Sequence, residues 1–252
     1  MKNRGQVMIF VIVAIILVGS VILFLFVRNE GTPALPTGQE FDAETFVDTC
    51  VRDAVRETVD VMMPQGGVYA PTDYALFQDK KVAYLCKNVN YYEKCINQYP
   101  RYITHLTNEV KEQIQPKVEG CLQTLGTELQ NKRYQVSMGE FSLNVGLKPG
   151  TIEVDILGDV RIAKNDVTQE FTGFSTALKS PLYDLGLVAN EIVSQEAQYC
   201  YFEYVGFSLL YPAFDVKVSS LSDSTKIYTI KHVGTGEEMM IAIRGCAIPA
   251  GF

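Results

Sequence analysis

The sequence predicts an α+β protein: an N-terminal transmembrane helix followed by an ectodomain of about three amphipathic helices packed on an antiparallel β-sheet. Three observations lead there. Val7 to Val27 is a run of 21 residues without a charge. Beyond it, apolar residues recur first at three- and four-residue spacing and later at every second residue, and the two periods occupy separate blocks. All six cysteines follow the apolar run.

At about 1.5 Å per residue the run reaches roughly 30 Å, the hydrocarbon thickness of a bilayer. A cleavable secretory signal has a shorter core and a small-residue cleavage site. Arg28-Asn29-Glu30-Gly31 offers no such site, so residues 7–27 are expected to stay as an anchor. Lys2 and Arg4 precede the span and Arg28 alone follows it. The basic-residue bias then leaves residues 1–6 in the cytoplasm and places residues 31–252 outside the cell membrane, with the lipid bilayer as a partner. Residues 28–40 read as a linker, because Gly31, Pro33 and Pro36 interrupt any helix there.

Residues 41–130 form a helical, cysteine-containing part. Phe46, Val47, Val51, Ala54, Val55 and Val59 share one face, predicting a helix over Asp42–Met63 that Pro64 and the Gln65-Gly66-Gly67 turn end. A turn-rich aromatic stretch follows, with one short strand at Val82–Cys86. Leu106, Val110, Ile114, Val118, Leu122 and Leu125 predict a second helix over Tyr102–Leu129, kinked or split at Pro116.

Residues 131–252 form an antiparallel sheet with one helix. Phe141–Val145, Ile152–Ile156, Val160–Ile162 and Val167–Thr176 alternate and are joined by short turns, the pattern of a four-stranded meander. Ser180-Pro181 caps a third helix that ends near Tyr199. Phe214–Val218, Ile227–Val233 and Met239–Ile243 read as three closing strands.

Setting aside the first 30 residues leaves 19 of the 22 Lys and Arg and 28 of the 29 Asp and Glu, a net formal charge of −9. Such a domain repels phosphate backbones, so nucleic acid is not an expected partner. An even cysteine count outside the cell reads as up to three disulfides. Cys86 and Cys95 flank a short polar loop and are the first expected pair. The connectivity of Cys50, Cys121, Cys200 and Cys246 stays open, although Cys50 with Cys121 and Cys200 with Cys246 would staple helix to helix and helix to strand. With only His105 and His232 and no CxxC, neither a zinc site nor any other cofactor is expected. Tyr69, Tyr74, Tyr91 and Tyr92 are the candidate aromatic binding surface, rigid amphipathic rings being suited to recognition; the alternative is that they cap the core.

No nucleophile elbow, zincin motif, phosphate loop or dinucleotide fingerprint is present, and Gly206-Phe207-Ser208-Leu209-Leu210 lacks the second glycine of the first. His105 lies beside the apolar stripe of its helix and reads as structural. The function expected is that of a single-pass, membrane-anchored cell-surface protein with a non-catalytic, disulfide-stapled ectodomain serving envelope structure, adhesion or binding of other surface proteins. An extracytoplasmic enzyme with an unrecognised cleft stands behind it.

The first residues add an alternative. Lys2-Asn3-Arg4-Gly5-Gln6 followed by a long apolar helix resembles the class III signal sequences of archaeal type IV pilins. The resemblance covers about a tenth of the chain. It implies cleavage between Gly5 and Gln6, retention of the apolar helix and self-association into a filament. Phe10 stands where the family places a Glu, and the linker prolines interrupt a helix that pilins continue into the head domain.

Overall fold

Asp42 caps the first helix of the computed structural model, which describes residues 41–165 and 167–249. The predicted span 7–27, the linker 28–40 and the Gly5–Gln6 processing site lie outside the described residues. Among those described, no helix is long and apolar enough to cross a membrane.

The Asp42 carboxylate accepts the Thr45 amide at 3.1 Å and opens α1, Ala43–Met62. Val47, Val51, Val55 and Val59 are buried along it, as the three-and-four spacing requires. A 3₁₀ turn, Met63–Gln65, then reverses the chain through Gly66 and Gly67, both at positive φ. A Cβ on Gly67 would lie 2.2 Å from Leu106 Cδ2, so glycine is required by space as well as by conformation. Strands β1 (Tyr74–Phe77), β2 (Lys80–Lys87) and β3 (Ile96–Asn97) follow, and then α2, Tyr102–Asn131. α2 returns antiparallel to α1: Lys117 reaches Glu57 at 2.9 Å and the Tyr102 hydroxyl donates to Gly66 O at 2.9 Å.

Pro116 does not split this helix. It lies on the exposed side, where the missing donor removes one bond while Ile114 and Val118 keep the buried stripe continuous.

Strands β4 (Gln135–Met138), β5 (Ser142–Lys148), β6 (Thr151–Lys164) and β7 (Val167–Lys179) form a four-stranded antiparallel sheet. β7 pairs with one edge of β6 along its whole length; β5 and then β4 share the other. The expected turn at Gly158-Asp159 is instead a bulge inside a single strand, with both residues opposite Thr172. A Cβ on Gly158 would lie 2.8 Å from Glu140 O, so the bulge brings two backbones together where only glycine fits. Helices α1 and α2 cover this sheet, and the Arg52 guanidinium donates to Ala177 O of β7 at 2.7 Å.

The chain continues through α3 (Leu182–Tyr199) and α4 (Tyr204–Leu210) into β8 (Phe214–Ser220), β9 (Lys226–His232) and β10 (Glu238–Arg244). Pro181 itself occupies the cap position of α3, and the Leu182 amide donates to Ser180 Oγ at 3.3 Å. The second sheet has the order β1-β2-β10-β9-β8, with β3 on β2. Here the expectation of a purely antiparallel sheet is corrected, because β10 runs parallel to β2, pairing Ala242 with Tyr84. Among the described residues the fold is α+β with four helices on one antiparallel and one mixed sheet. β1, β2 and β3, from the half read as helical, join a sheet completed by the last strands of the chain, and residues from Asp42 onward form one compact unit.

Candidate functional site

All six cysteines are paired. Cys86 and Cys95 close the loop between β2 and β3 with Cα atoms 5.3 Å apart. Cys50 and Cys121 join α1 to α2 at 6.1 Å, and Cys200, at the left-handed C-cap of α3, meets Cys246 beyond β10 at 6.0 Å. These Cα separations are ordinary for disulfides.

Beside the third bridge lies a polar cluster that sequence reasoning missed. Glu196, on the apolar face of α3, is fully buried at 0% exposure. Lys226 Nζ donates to its two carboxylate oxygens at 2.7 and 2.8 Å and to Cys200 O at 2.7 Å. The Tyr228 hydroxyl donates to the same carboxylate. Burial first, and the Glu196 carboxylate second, push the Tyr228 phenol upward, so it remains a donor at any physiological pH. The signal available was a carboxylate in phase with Ala189, Ile192 and Val193, facing a Lys and a Tyr two residues apart on one strand face. A fully buried carboxylate that accepts two bonds from a cation and one from a phenol is a structural tie; it locks α3 to β9.

The four tyrosines singled out by the sequence are held by different elements. Tyr69 is half-buried, its amide donating to Glu109 at 2.9 Å. Tyr74 stands on β1 with Lys81 Nζ 5.0 Å from its ring centre. Tyr91 and Tyr92 lie in the disulfide-closed loop, the first with its ring against Arg244 and the second with its backbone amide donating to Ala247 O at 2.9 Å. Tyr74, Tyr91 and Tyr92 are exposed, yet no ring contact among the described residues joins any two of the four.

A richer apolar surface lies elsewhere. α4 has no buried residue. Its inner side is fixed by Phe207, whose ring centre is 5.3 Å from that of Phe202, and by Ser208 Oγ, which accepts the Val216 amide of β8 at 3.1 Å. Its outer side presents Val205, Leu209 and Leu210, all exposed. The sequence signal was a stretch from Ala197 to Ala213 with one charged side chain, Glu203.

Neither histidine bonds a carboxylate among the described residues. His105 packs against Tyr99 with ring centres 4.4 Å apart and planes tilted by 35°, and its buried Nε2 has no hydrogen-bond partner among the described residues. Burial lowers its pKa, against a smaller upward pull from Glu109 and Glu112. His232 Nδ1 accepts the Thr235 amide at 3.2 Å within its own turn. A groove of about 610 Å³ runs between α2 and the β4–β6 edge, floored by Leu122, Met138, Ile156 and Val160 and rimmed by Glu119, Glu140 and Asp159. It contains neither histidine nor a nucleophile with a base. No cluster of His, Cys, Asp and Glu among the described residues is arranged to hold a metal ion.

Comparison with models of protein families, with curated proteins and with solved structures finds no match to this chain.

Proposed function

We propose that this chain is a single-pass membrane protein of the cell surface whose ectodomain is a non-catalytic, disulfide-stapled interaction module. The observation that carries the reading is the complete pairing of six cysteines in three separate bridges, in a chain whose residues 7–27 are an uncharged run of 21. Disulfides of this structural kind persist in oxidising compartments and are reduced in the cytosol. The acidic domain and the absence of a histidine–carboxylate pair among the described residues fit a role in binding rather than in turnover. Lipid is the first partner and other surface proteins the second.

Protease added to intact cells tests the location. The expected outcome is loss of the ectodomain together with a known exterior marker, leaving a fragment that carries the span. An ectodomain that survives while the marker is cut overturns the reading.

A second reading, a pilin-like filament subunit, rests on Lys2-Asn3-Arg4-Gly5-Gln6. N-terminal sequencing of the native protein separates the two: a mature chain starting at Gln6 supports processing, and one starting at Met1 removes it.

A further inference from the structure

Six exposed apolar side chains form the outer surface of α4 and its two ends: Tyr199, Tyr201, Val205, Leu209, Leu210 and Tyr211. Leu209 and Leu210 are 79% and 78% exposed, and they follow one another directly. Exposed apolar side chains gathered this closely along one segment mark an interaction surface, whereas isolated exposed aliphatics do not. α4 is also no loose segment: Phe207 and Ser208 tie its inner side to Phe202 and β8, and the Glu203 carboxylate accepts the Gly206 amide at 3.2 Å and the Tyr201 hydroxyl. The apolar side chains are therefore presented on a fixed support.

We infer that this surface docks on the outer leaflet of the bilayer, with Val205, Leu209 and Leu210 at the acyl boundary and the tyrosine hydroxyls at headgroup level. The inference rests on the anchored reading given above and names lipid as the occupant of this surface. Composition is the first argument. Aliphatic residues flanked on both sides by tyrosine have the chemistry of the membrane–water interface, where an amphipathic ring keeps its body apolar and its hydroxyl wet. The second is charge. Between Ala197 and Ala213 there is no Lys or Arg and one acidic side chain, Glu203, so the docking is driven by apolar burial and gains nothing from anionic headgroups. Size is the third: six side chains fall well short of the roughly 20–30 residues per side of a stable protein interface, whereas a lipid surface needs no complementary partner. The fourth is the tether. The 13 residues 28–40 span at most about 45 Å when extended, which keeps the domain within reach of the bilayer at an effective concentration that lets a weak contact form.

The chain contains no tryptophan, so one introduced ring is an unambiguous reporter. Full-length Leu210→Trp and Val205→Trp proteins are reconstituted into phosphatidylcholine vesicles, with Leu76→Trp on exposed β1 as the reference. Each variant is first required to retain the parent's three disulfides and melting temperature. Flotation with the vesicles tests the anchor; a chain that stays behind overturns the anchored reading and this inference with it. In floated vesicles, Leu210→Trp and Val205→Trp are expected to emit at shorter wavelength than Leu76→Trp and to lose most of their intensity when the acyl chains are brominated. Replacing part of the lipid by an anionic one should not increase that loss. Solvent-like emission from both α4 reporters overturns the docking while leaving the anchor intact. A blue shift without quenching by brominated chains overturns it too, because the surface is then covered by protein, as in contact between two copies.

Discussion

Met239 to Ile243 of β10 are buried without interruption, whereas Val167 to Glu170 of β7 are exposed one after another. The two strands mark opposite regimes in one chain. Around β10, one sheet face holds the cluster of Ala75, Val82, Ile227 and Ala242; the 3₁₀ turn and α3 also pack on the sheet, and two disulfides with the Glu196–Lys226–Tyr228 cluster close its margins. In the far half of the β6–β7 hairpin Val160 and Ile162 of β6 are buried, but the β7 side is exposed. That half is held by ladder bonds, by Lys164 over the Tyr134 ring and by an exposed Arg161–Glu170 pair at 2.8 Å, of a kind that contributes little in water. Stability is thus expected to be concentrated in the mixed sheet and thin at the hairpin tip.

The strongest way to break that contrast is to remove one member of the buried pair. Lys226→Met leaves the buried Glu196 carboxyl without its cation, and the mixed sheet should lose about 3–5 kcal/mol, read as a lower denaturant midpoint. Pairing it with Glu196→Leu should recover most of the loss. A Lys226→Met variant within about 1 kcal/mol of the parent would show that water reaches the carboxylate after all.

The bridges sharpen the same picture. With a sequence separation of 71, Cys50–Cys121 restricts the unfolded chain far more than Cys86–Cys95 at 9. The chain-entropy relation gives about 4 kcal/mol for the first and about 2.5 for the second. Thermal melts of the paired Cys→Ser variants should keep that order; a reversed order would assign the main effect to native packing around the short loop.

Hydrogen exchange maps the contrast directly. Amides of Arg161–Lys164 and Val167–Glu170 should exchange on the order of 100-fold faster than those of Ile227–Ile230 and Ile241–Ile243. Equal protection would mean that the hairpin opens only with the whole domain.

The smallest effect concerns pH at the edge of the well-packed region. Burial depresses the His105 pKa below its ordinary 6.5, so the neutral ring is the folded form and the unfolded chain binds the extra proton. Its contribution is complete above 6.5 and is lost as pH falls from there through the folded value. Melts between pH 8 and 4 should show the parent losing slightly more on acidification than His105→Phe, and superimposable profiles would remove the assignment.

The helices α1, α2 and α3 were legible because each carries an unbroken stripe over several turns, and their ends lie within two residues of those expected. α4 was not, since YVGFSLL has no polar face and a glycine, Gly206, as its third residue. β1, β3 and β4 are four residues or fewer, too short for alternation to register. The parallel contact of Tyr84 with Ala242 leaves no local trace, which is why one antiparallel sheet was expected where there are two sheets, one of them mixed. Cys86–Cys95 could be anticipated from the polar loop between them, but the other pairs required knowing which helix lies on which. The aromatic stretch drew attention to Tyr74, Tyr91 and Tyr92, while the charge-poor run 197–213 held the more continuous exposed surface.

The place of β10 between β2 and β9 also governs the order in which the molecule can be assembled. A ribosome releases residues 80–87 long before residues 238–244, so β2 must wait for β10 before its inner edge is covered. Until then the exposed edge of β2 and the unpaired Cys200 are handed to whatever machinery escorts the nascent chain. A truncation near the C-terminus would remove the middle of the sheet rather than a margin of it.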